Sequence, residues 1–222
     1  KGMRNMVCGS STAISEDSLT SAKREEGRHV SFSSEVKEEL SRQDTSARHC
    51  RLAELAAIIG MCGDVCISAM ERYRLRIHTE NEAVARKCFT LLRKTFSINS
   101  DVSVHLHKRN GKGSQIYTLL IRDHAEVLRV LQALKLVDAA GEIQEQVSPA
   151  NQLLVQKSCC RRAFIRGAFL AAGSISSPEK SYHFEIVCVS PERAEQLQAL
   201  IRTFGLDAKT VQRKKHYIVY IK

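Results

Sequence analysis

The feature that most constrains the fold is a helix-forming segment, residues 161–173, that has one face of small side chains and ends at a glycine. Its small residues recur at spacings of three and four, so they share one flank of a helix: Gly167, Ala168, Ala171 and Ala172. A glycine inside a helix costs about 1 kcal/mol relative to alanine, so Gly167 needs a packing reason. The pattern therefore predicts a second helix pressed closely against this one.

An earlier segment has the same character and supplies the partner. Residues 52–63 are mostly apolar and end at Gly63, and their small residues also share one flank: Ala53, Ala56, Ala57 and Gly60. The closing glycines, Gly63 and Gly173, lie 110 positions apart. We interpret the two segments as an internal duplication whose halves meet helix against helix.

The order of the other elements supports a duplication. Periodicity predicts helix, two strands, helix, two strands and helix in the first half, and the same order without the last helix in the second. The predicted fold class is α+β, with two αββαββ(α) halves in a pseudo-two-fold arrangement whose antiparallel sheets form a saddle. The halves are expected at residues 30–145 and 146–222, after a disordered leader at residues 1–29 that is rich in Ser, Thr, Lys and Glu.

Capping residues predict where several helices begin. Ser34 is expected to cap the first helix, and Thr79 with Glu82 forms a capping box for a helix that starts at Glu80. Asp123 and the Ser190–Pro191 pair mark two further starts, and a third such start is predicted at Ser148.

Basic residues follow the predicted strands and hairpin tips. Arg72, Arg74 and Arg76 alternate with apolar residues, which indicates a half-buried strand with one row of cations. The predicted hairpin tips add further cations: Lys108, Arg109, Lys112, Lys209, Arg213, Lys214 and Lys215. The net charge is +10, and 29 basic against 20 acidic residues after position 29 leave +9 on the predicted folded part. Recurrence in both halves favours a basic saddle for the phosphate backbone of double-stranded DNA, and ordinary solvated strand faces are the alternative.

No metal site or cofactor is predicted. The eight cysteines contain no C-x-x-C pair, and we interpret them as reduced, mostly buried thiols of a cytoplasmic protein. Cys62 and Cys66 are four apart, but Gly63 is expected to end the helix between them. His105 and His107 share a strand face without a third ligand, which favours a polar sheet surface. No membrane partner is expected, because no apolar run approaches transmembrane length.

Several segments resemble bacterial WhiA proteins, and the resemblance extends over residues 31–222. They read SFSSEVKEEL at 31–40, ENEAVAR at 80–86, CCRR at 159–162, RGAFLAAGS at 166–174, SYHFEI at 181–186 and RKKHYI at 213–218. The resemblance implies a degenerate LAGLIDADG homing-endonuclease fold, followed in the family by a helix-turn-helix domain that is expected to be absent here. It also implies a nucleoid-associated DNA-binding regulator of sporulation, cell division and chromosome segregation in Gram-positive bacteria, with other transcription regulators as further partners.

The same resemblance identifies the positions at which cleavage chemistry would reside. LAGLIDADG nucleases carry an acid just before the closing glycine of each motif helix, where the acids hold divalent metals. The corresponding residues here are Cys62 and Ala172, and Asp64 lies beyond the first helix. The expected function is therefore non-catalytic DNA binding. Two alternatives stay open: a protein-interaction scaffold whose DNA binding comes from the C-terminal domain, and an active endonuclease.

Overall fold

Each half of the chain is built from helices that alternate with pairs of strands. The computed structural model describes residues 31–67, 73–109, 112–137, 153–179 and 183–222, with the backbone alone at 67, 107–109 and 112–114. The predicted leader and the predicted cap at Ser148 lie outside the described residues. So does the predicted boundary near residue 145, which stays a prediction.

The first half contains four helices and four strands within the described residues. They are α1 (Phe32–Arg42), α2 (Arg48–Cys62), β1 (Gly63–Ile67), β2 (Tyr73–Thr79), α3 (Glu82–Phe96), β3 (Asp101–Arg109), β4 (Lys112–Ile121) and α4 (His124–Ala133). The second half repeats the order from its own long helix onward. It comprises α5 (Ser158–Ala172), β5 (Gly173–Ile175), β6 (Phe184–Cys188), α6 (Pro191–Arg202), β7 (Lys209–Arg213) and β8 (His216–Ile221).

The two sheets have the same topology. The first has the strand order β1-β2-β4-β3 and the second β5-β6-β8-β7, and all pairings are antiparallel. In both sheets, the strand that directly follows the long helix (β1 or β5) forms one edge. The first strand of the last hairpin (β3 or β7) forms the other edge. The predicted α+β fold with two antiparallel sheets is confirmed.

Helices α2 and α5 pack directly against each other, and Gly167 lies at their contact. A Cβ atom at this position would collide with the backbone carbonyl oxygen of Glu54 and lie 3.1 Å from the Cβ of Ala57. Gly60 differs, because a Cβ there would meet only the far end of Arg193, at 3.9 Å. The close helix pair predicted from the small residues is confirmed, and Gly167 is the glycine that it requires.

The apolar faces of the sheets are buried under the helices. Leu75 and Ile77 of β2 belong to a core shared with α2, α3 and α4, and Ile186 of β6 belongs to a second core with α5 and α6. Ala57 of α2 contributes to the second core, so the helix pair joins the two halves through buried apolar contact. No helix among the described residues is long and apolar enough to cross a membrane.

Part of the apolar face of the first sheet is not covered by the helices. Val104 and Leu106 of β3 are 47% and 73% exposed. The β3–β4 hairpin has strands of nine and ten residues, so it extends beyond the helices that cover the rest of the sheet. The face is therefore buried near the helices and bare towards the hairpin end.

Two of the predicted helix starts are wrong by a few residues. Helix α1 is capped by Ser31, whose Oγ accepts the N–H of Ser34 at 3.3 Å, so Ser34 lies inside the helix. Helix α3 is capped by Asn81, whose Oδ1 accepts the N–H groups of Ala83 at 2.9 Å and Val84 at 3.3 Å. Asparagine is among the strongest N-caps and displaces the predicted threonine. The caps predicted at residues 123 and 190 are confirmed.

Candidate nucleic-acid interface

The outer face of the first sheet presents a row of basic side chains on β2. Leu75 and Ile77 are buried, whereas Arg74, Arg76 and His78 between and beside them are exposed. This strict alternation follows from the period of two in a strand. The cations therefore point away from the helices and towards solvent.

One acidic side chain lies among these cations. Asp64 of β1 pairs with Arg76 across the strands, and its Oδ2 lies 3.4 Å from Arg76 Nη2 and 3.4 Å from His78 Nδ1. All three side chains are about half exposed, and exposed pairs contribute only about 0–1 kcal/mol. A phosphate group can therefore compete for Arg76. Among the described side chains, none forms a salt bridge with Arg74.

The second sheet carries its cations on the edge strand β7. Lys209 is opposite Tyr220 and Arg213 is opposite His216, which places both on the outer face with Glu185 of β6. Arg213 Nη1 lies 3.8 Å from Glu185 Oε2, and Lys209 Nζ lies 3.3 Å from Asp207 Oδ2. Every residue of β7 is exposed, so this basic edge is accessible.

Glu185 is an ionised acid on this outer face that the sequence analysis did not identify. Burial raises its pKa, but hydrogen bonds from His183 and Ser174, with the charge of Arg213, outweigh burial and lower the pKa. The hydrogen-bond distances are 3.1 Å to His183 and 3.0 Å to Ser174. Glu185 therefore reduces the positive potential of the second sheet.

The β7–β8 turn holds two further predicted contacts in solvent. Lys214 has a left-handed backbone with φ of 55°, which the tight turn requires, and its carbonyl accepts a hydrogen bond from Gln212 Nε2 at 3.4 Å. Lys214 and Lys215 are both exposed. The turn therefore extends the basic surface beyond the end of the sheet.

For three predicted contacts at the β3–β4 hairpin the structure describes the backbone alone, and a fourth lies outside the described residues. Backbone pairing sets Arg109 opposite Lys112 and Lys108 opposite Gly113, at the end of the β3–β4 hairpin. Arg72 lies outside the described residues. All ten DNA-contact assignments, these four included, stay predictions.

Neither of the paired helices ends in a carboxylate. Cys62 ends α2 and Ala172 ends α5. The Cys62 thiol donates a hydrogen bond to the Ile58 carbonyl at 3.2 Å, and burial raises its pKa to about 12. Alanine has no ligand atom, and a single sulfur ligand is a poor partner for a hard cation, which prefers oxygen. Among the described residues, no group of three potential ligands lies at this end of the helices. The position does not fit Mg²⁺ or another hard divalent cation.

A buried charge network between the helices was not anticipated from the sequence. Glu54 of α2 is fully buried and accepts two hydrogen bonds from Arg166 of α5, at 2.9 and 2.8 Å. Lys87 Nζ of α3 lies 3.5 Å from the same carboxylate and donates to the Gln43 carbonyl. An acid inside an apolar helical segment, with an arginine in the matching helix, is the signal that could have indicated this pair. The network fixes how α2 and α5 face each other.

The repeated helix–sheet halves and the closely packed helix pair place this protein in the LAGLIDADG-like class. Full-length DUF199/WhiA from Thermatoga maritima is similar, with a TM-score of 0.63 and 22% identity over 87% of this chain and 57% of that one. The homing endonuclease I-DmoI, solved with DNA and Mn, is similar with a TM-score of 0.53 and 14% identity, over 79% of this chain and 91% of that one. At these identities, the likeness shows the fold alone.

Two family models identify the particular family. The WhiA N-terminal LAGLIDADG-like domain matches residues 48–137, and the WhiA LAGLIDADG-like domain matches residues 161–222. The chain belongs to the WhiA family.

Similar proteins include the "Probable cell division protein WhiA" of Lachnoclostridium phytofermentans, 48% identical, and that of Alkaliphilus metalliredigens, 40% identical. Each match covers 87% of this chain and 61% of the relative. The chain thus spans about three fifths of the length of these relatives.

Proposed function

We propose that this chain is a non-catalytic DNA-binding region of a bacterial transcription regulator that acts in cell division, sporulation and chromosome segregation. The observation that carries the proposal is the presence of exposed cations on the outer faces of both sheets, at Arg74 and Arg76 in one and at Lys209 and Arg213 in the other. Together they form a basic saddle along which two stretches of a duplex backbone bind.

Contacts of this kind hold DNA without reading much of its sequence. Lysine and arginine side chains on a sheet face bind phosphate oxygens, and this fixes the position of the duplex. The outer faces also carry hydrophobic and hydroxyl groups, because Leu120 and Thr118 of β4 pair with Arg76 and His78. These groups are suited to contacts with base edges and sugars in a groove.

The proposed absence of cleavage follows from the residues at the helix ends. Neither Cys62 nor Ala172 offers a carboxylate. The nearby acid Asp64 already has Arg76 and His78 as partners on the sheet face. The duplex is therefore held and left intact.

Arg74 and Arg42 provide a matched test. Both are exposed arginines, but Arg74 lies on the outer sheet face and Arg42 ends helix α1. Fluorescence anisotropy with a labelled duplex should show weaker binding for Arg74→Ala and unchanged binding for Arg42→Ala. Equal affinity for both variants and the wild type would contradict the proposal, as would magnesium-dependent nicking of a plasmid by the wild-type chain.

A protein-interaction scaffold is the second candidate, and the bare end of the first sheet favours it. Val104 and Leu106 expose apolar surface at the β3–β4 hairpin, as docking surfaces do. In that case, DNA binding would belong to another part of a longer protein. Arg74→Glu in a full-length homologue would then leave DNA binding intact, whereas Leu106→Asp would abolish capture of the partner.

A further inference from the structure

Three cysteines and one histidine meet where helices α2 and α5 begin. His49 and Cys50 lie in the first turn of α2, and Cys159 and Cys160 lie in the first turn of α5. One ligand atom from each of the four lies within 4.8 Å of all the others. His49 Nδ1 is 3.2 Å from the sulfur atoms of both Cys50 and Cys160. We name these four residues the thiol–imidazole cluster.

The composition and the spacing of the thiol–imidazole cluster match those of one metal. Three cysteines and one histidine form a common structural zinc site, which is tetrahedral. Zinc bonds of about 2.3 Å to sulfur and about 2.0 Å to nitrogen separate the ligand atoms by about 3.5–3.8 Å. The observed separations, from 3.2 Å to at most 4.8 Å, leave room for the ion after small side-chain rotations. We propose that the thiol–imidazole cluster is a structural zinc site that clamps the two halves together.

The duplication explains how the ligands come together. His49 and Cys159 are 110 positions apart, as are Cys50 and Cys160, and this is also the separation of the closing glycines. Each half therefore supplies one dipeptide at the same place in its repeat. The sequence analysis missed the site because it searched for ligand pairs within one motif, and this site takes one dipeptide from each half.

The next residue in each repeat is an arginine that holds the ligand dipeptide in position. Arg51 Nη1 donates to the Ser46 carbonyl at 3.0 Å, and Arg161 donates to the Val155 and Gln156 carbonyls at 3.0 and 3.1 Å. Both arginines therefore tie the segment before the helix to its first turn. Such support orients metal ligands before the ion arrives.

The charge of the filled site suits its surroundings. Zinc with three thiolates carries a net charge of −1, after three protons leave for solvent. The positive ends of two helix dipoles meet here, and neither Ala47 nor Lys157 supplies a side-chain cap, unlike the residues that precede α1, α3, α4 and α6. The anionic site therefore occupies the place that a capping side chain takes at the starts of α1, α3, α4 and α6.

Access and position indicate a structural role. His49 and Cys159 are exposed, which gives the ion a path from solvent, whereas Cys50 and Cys160 are buried. The cluster lies at the opposite ends of α2 and α5 from Cys62 and Ala172, about 18 Å away along a helix. Zinc here would stabilise the helix pair without occupying the proposed DNA surface.

Metal content tests the proposal directly. The 222-residue chain, purified under reducing conditions with zinc supplied, should contain one zinc ion per chain by elemental analysis. Replacement with cobalt should give the visible ligand-field and thiolate charge-transfer bands of a tetrahedral site. A chelator should lower the thermal unfolding midpoint of the wild type.

Two exposed cysteines provide a matched pair of variants. Loss of a residue that only supports a metal ligand costs about 10- to 100-fold in metal affinity. Cys159 is itself a proposed ligand, so Cys159→Ser should weaken zinc binding at least that much. Cys66→Ser lies outside the thiol–imidazole cluster and should retain wild-type affinity. The chelator should no longer shift the midpoint of the Cys159 variant. A wild-type chain that takes up no zinc, or a Cys159→Ser variant with wild-type affinity, would overturn the proposal.

Discussion

Replacing Gly167 by alanine should push helices α2 and α5 apart. The added methyl group would collide with the Glu54 backbone carbonyl and lie 3.1 Å from the Ala57 Cβ. A carbonyl in a helix cannot rotate away as a flexible side chain can, so the helices must move. Overpacking costs about 1–3 kcal/mol or more, and the better helix propensity of alanine returns about 1 kcal/mol. Because the methyl group meets a fixed backbone carbonyl, the overpacking cost lies at the upper end of this range, and we expect a net loss of about 2 kcal/mol.

Urea denaturation followed by circular dichroism measures this loss. With a slope of about 2 kcal/mol per molar urea, the midpoint of Gly167→Ala should fall by about 1 M. Gly60→Ala is the control, because its methyl group would meet only the end of the Arg193 side chain, at 3.9 Å. It should leave the midpoint unchanged or raise stability by up to about 1 kcal/mol. A Gly167 variant as stable as the wild type would refute the reasoning.

Four further experiments test other parts of the structure. Glu54→Gln leaves partly buried Arg166 and buried Lys87 without their shared carboxylate and should lower the free energy of unfolding by about 3–5 kcal/mol in urea titrations. Because burial raises the pKa of Cys62 from 9.0 to about 12, this thiol should react with iodoacetamide at pH 8 far more slowly than exposed Cys66. For the same reason, Cys62 should make stability fall as pH rises from about 9 towards 12, since the unfolded thiol loses its proton first. Asp64→Asn removes an acid from the basic face and should tighten duplex binding in anisotropy titrations at low salt.

Periodicity and small residues predicted most of the fold, because these signals are local. The alternation along β2 and the two glycine-ended helices predicted two repeated halves. Gly167 predicted the close contact between the helices. The first residues of helices were predicted less accurately. Asn81 and Thr79 can both cap a helix N-terminus, and only the backbone geometry selects between them. The exposed end of β3 was not predictable from its alternating pattern, because the pattern does not say how far the helices extend.

The sequence predicted which sheet face carries the cations of the candidate site, but not which acids lie beside them. Arg74 and Arg76 stand out within one strand, whereas the charge of Glu185 depends on Ser174 of β5, Arg213 of β7 and His183 just before β6. The Glu54–Arg166 pair joins residues 112 positions apart, so only the folded structure brings them together. Contacts of this kind depend on how the two halves meet, which a single sequence does not encode locally.

The salt dependence of duplex binding tests the central claim most directly. If the basic sheet faces hold the phosphate backbone, the logarithm of the association constant should fall linearly with the logarithm of salt concentration, by about 0.9 per phosphate contact. The double variant Arg74→Ala with Lys209→Ala removes one contact from each sheet, so its slope should be shallower than that of the wild type by about 1.8. Binding that does not depend on salt, or a double variant with the wild-type slope, would contradict the account.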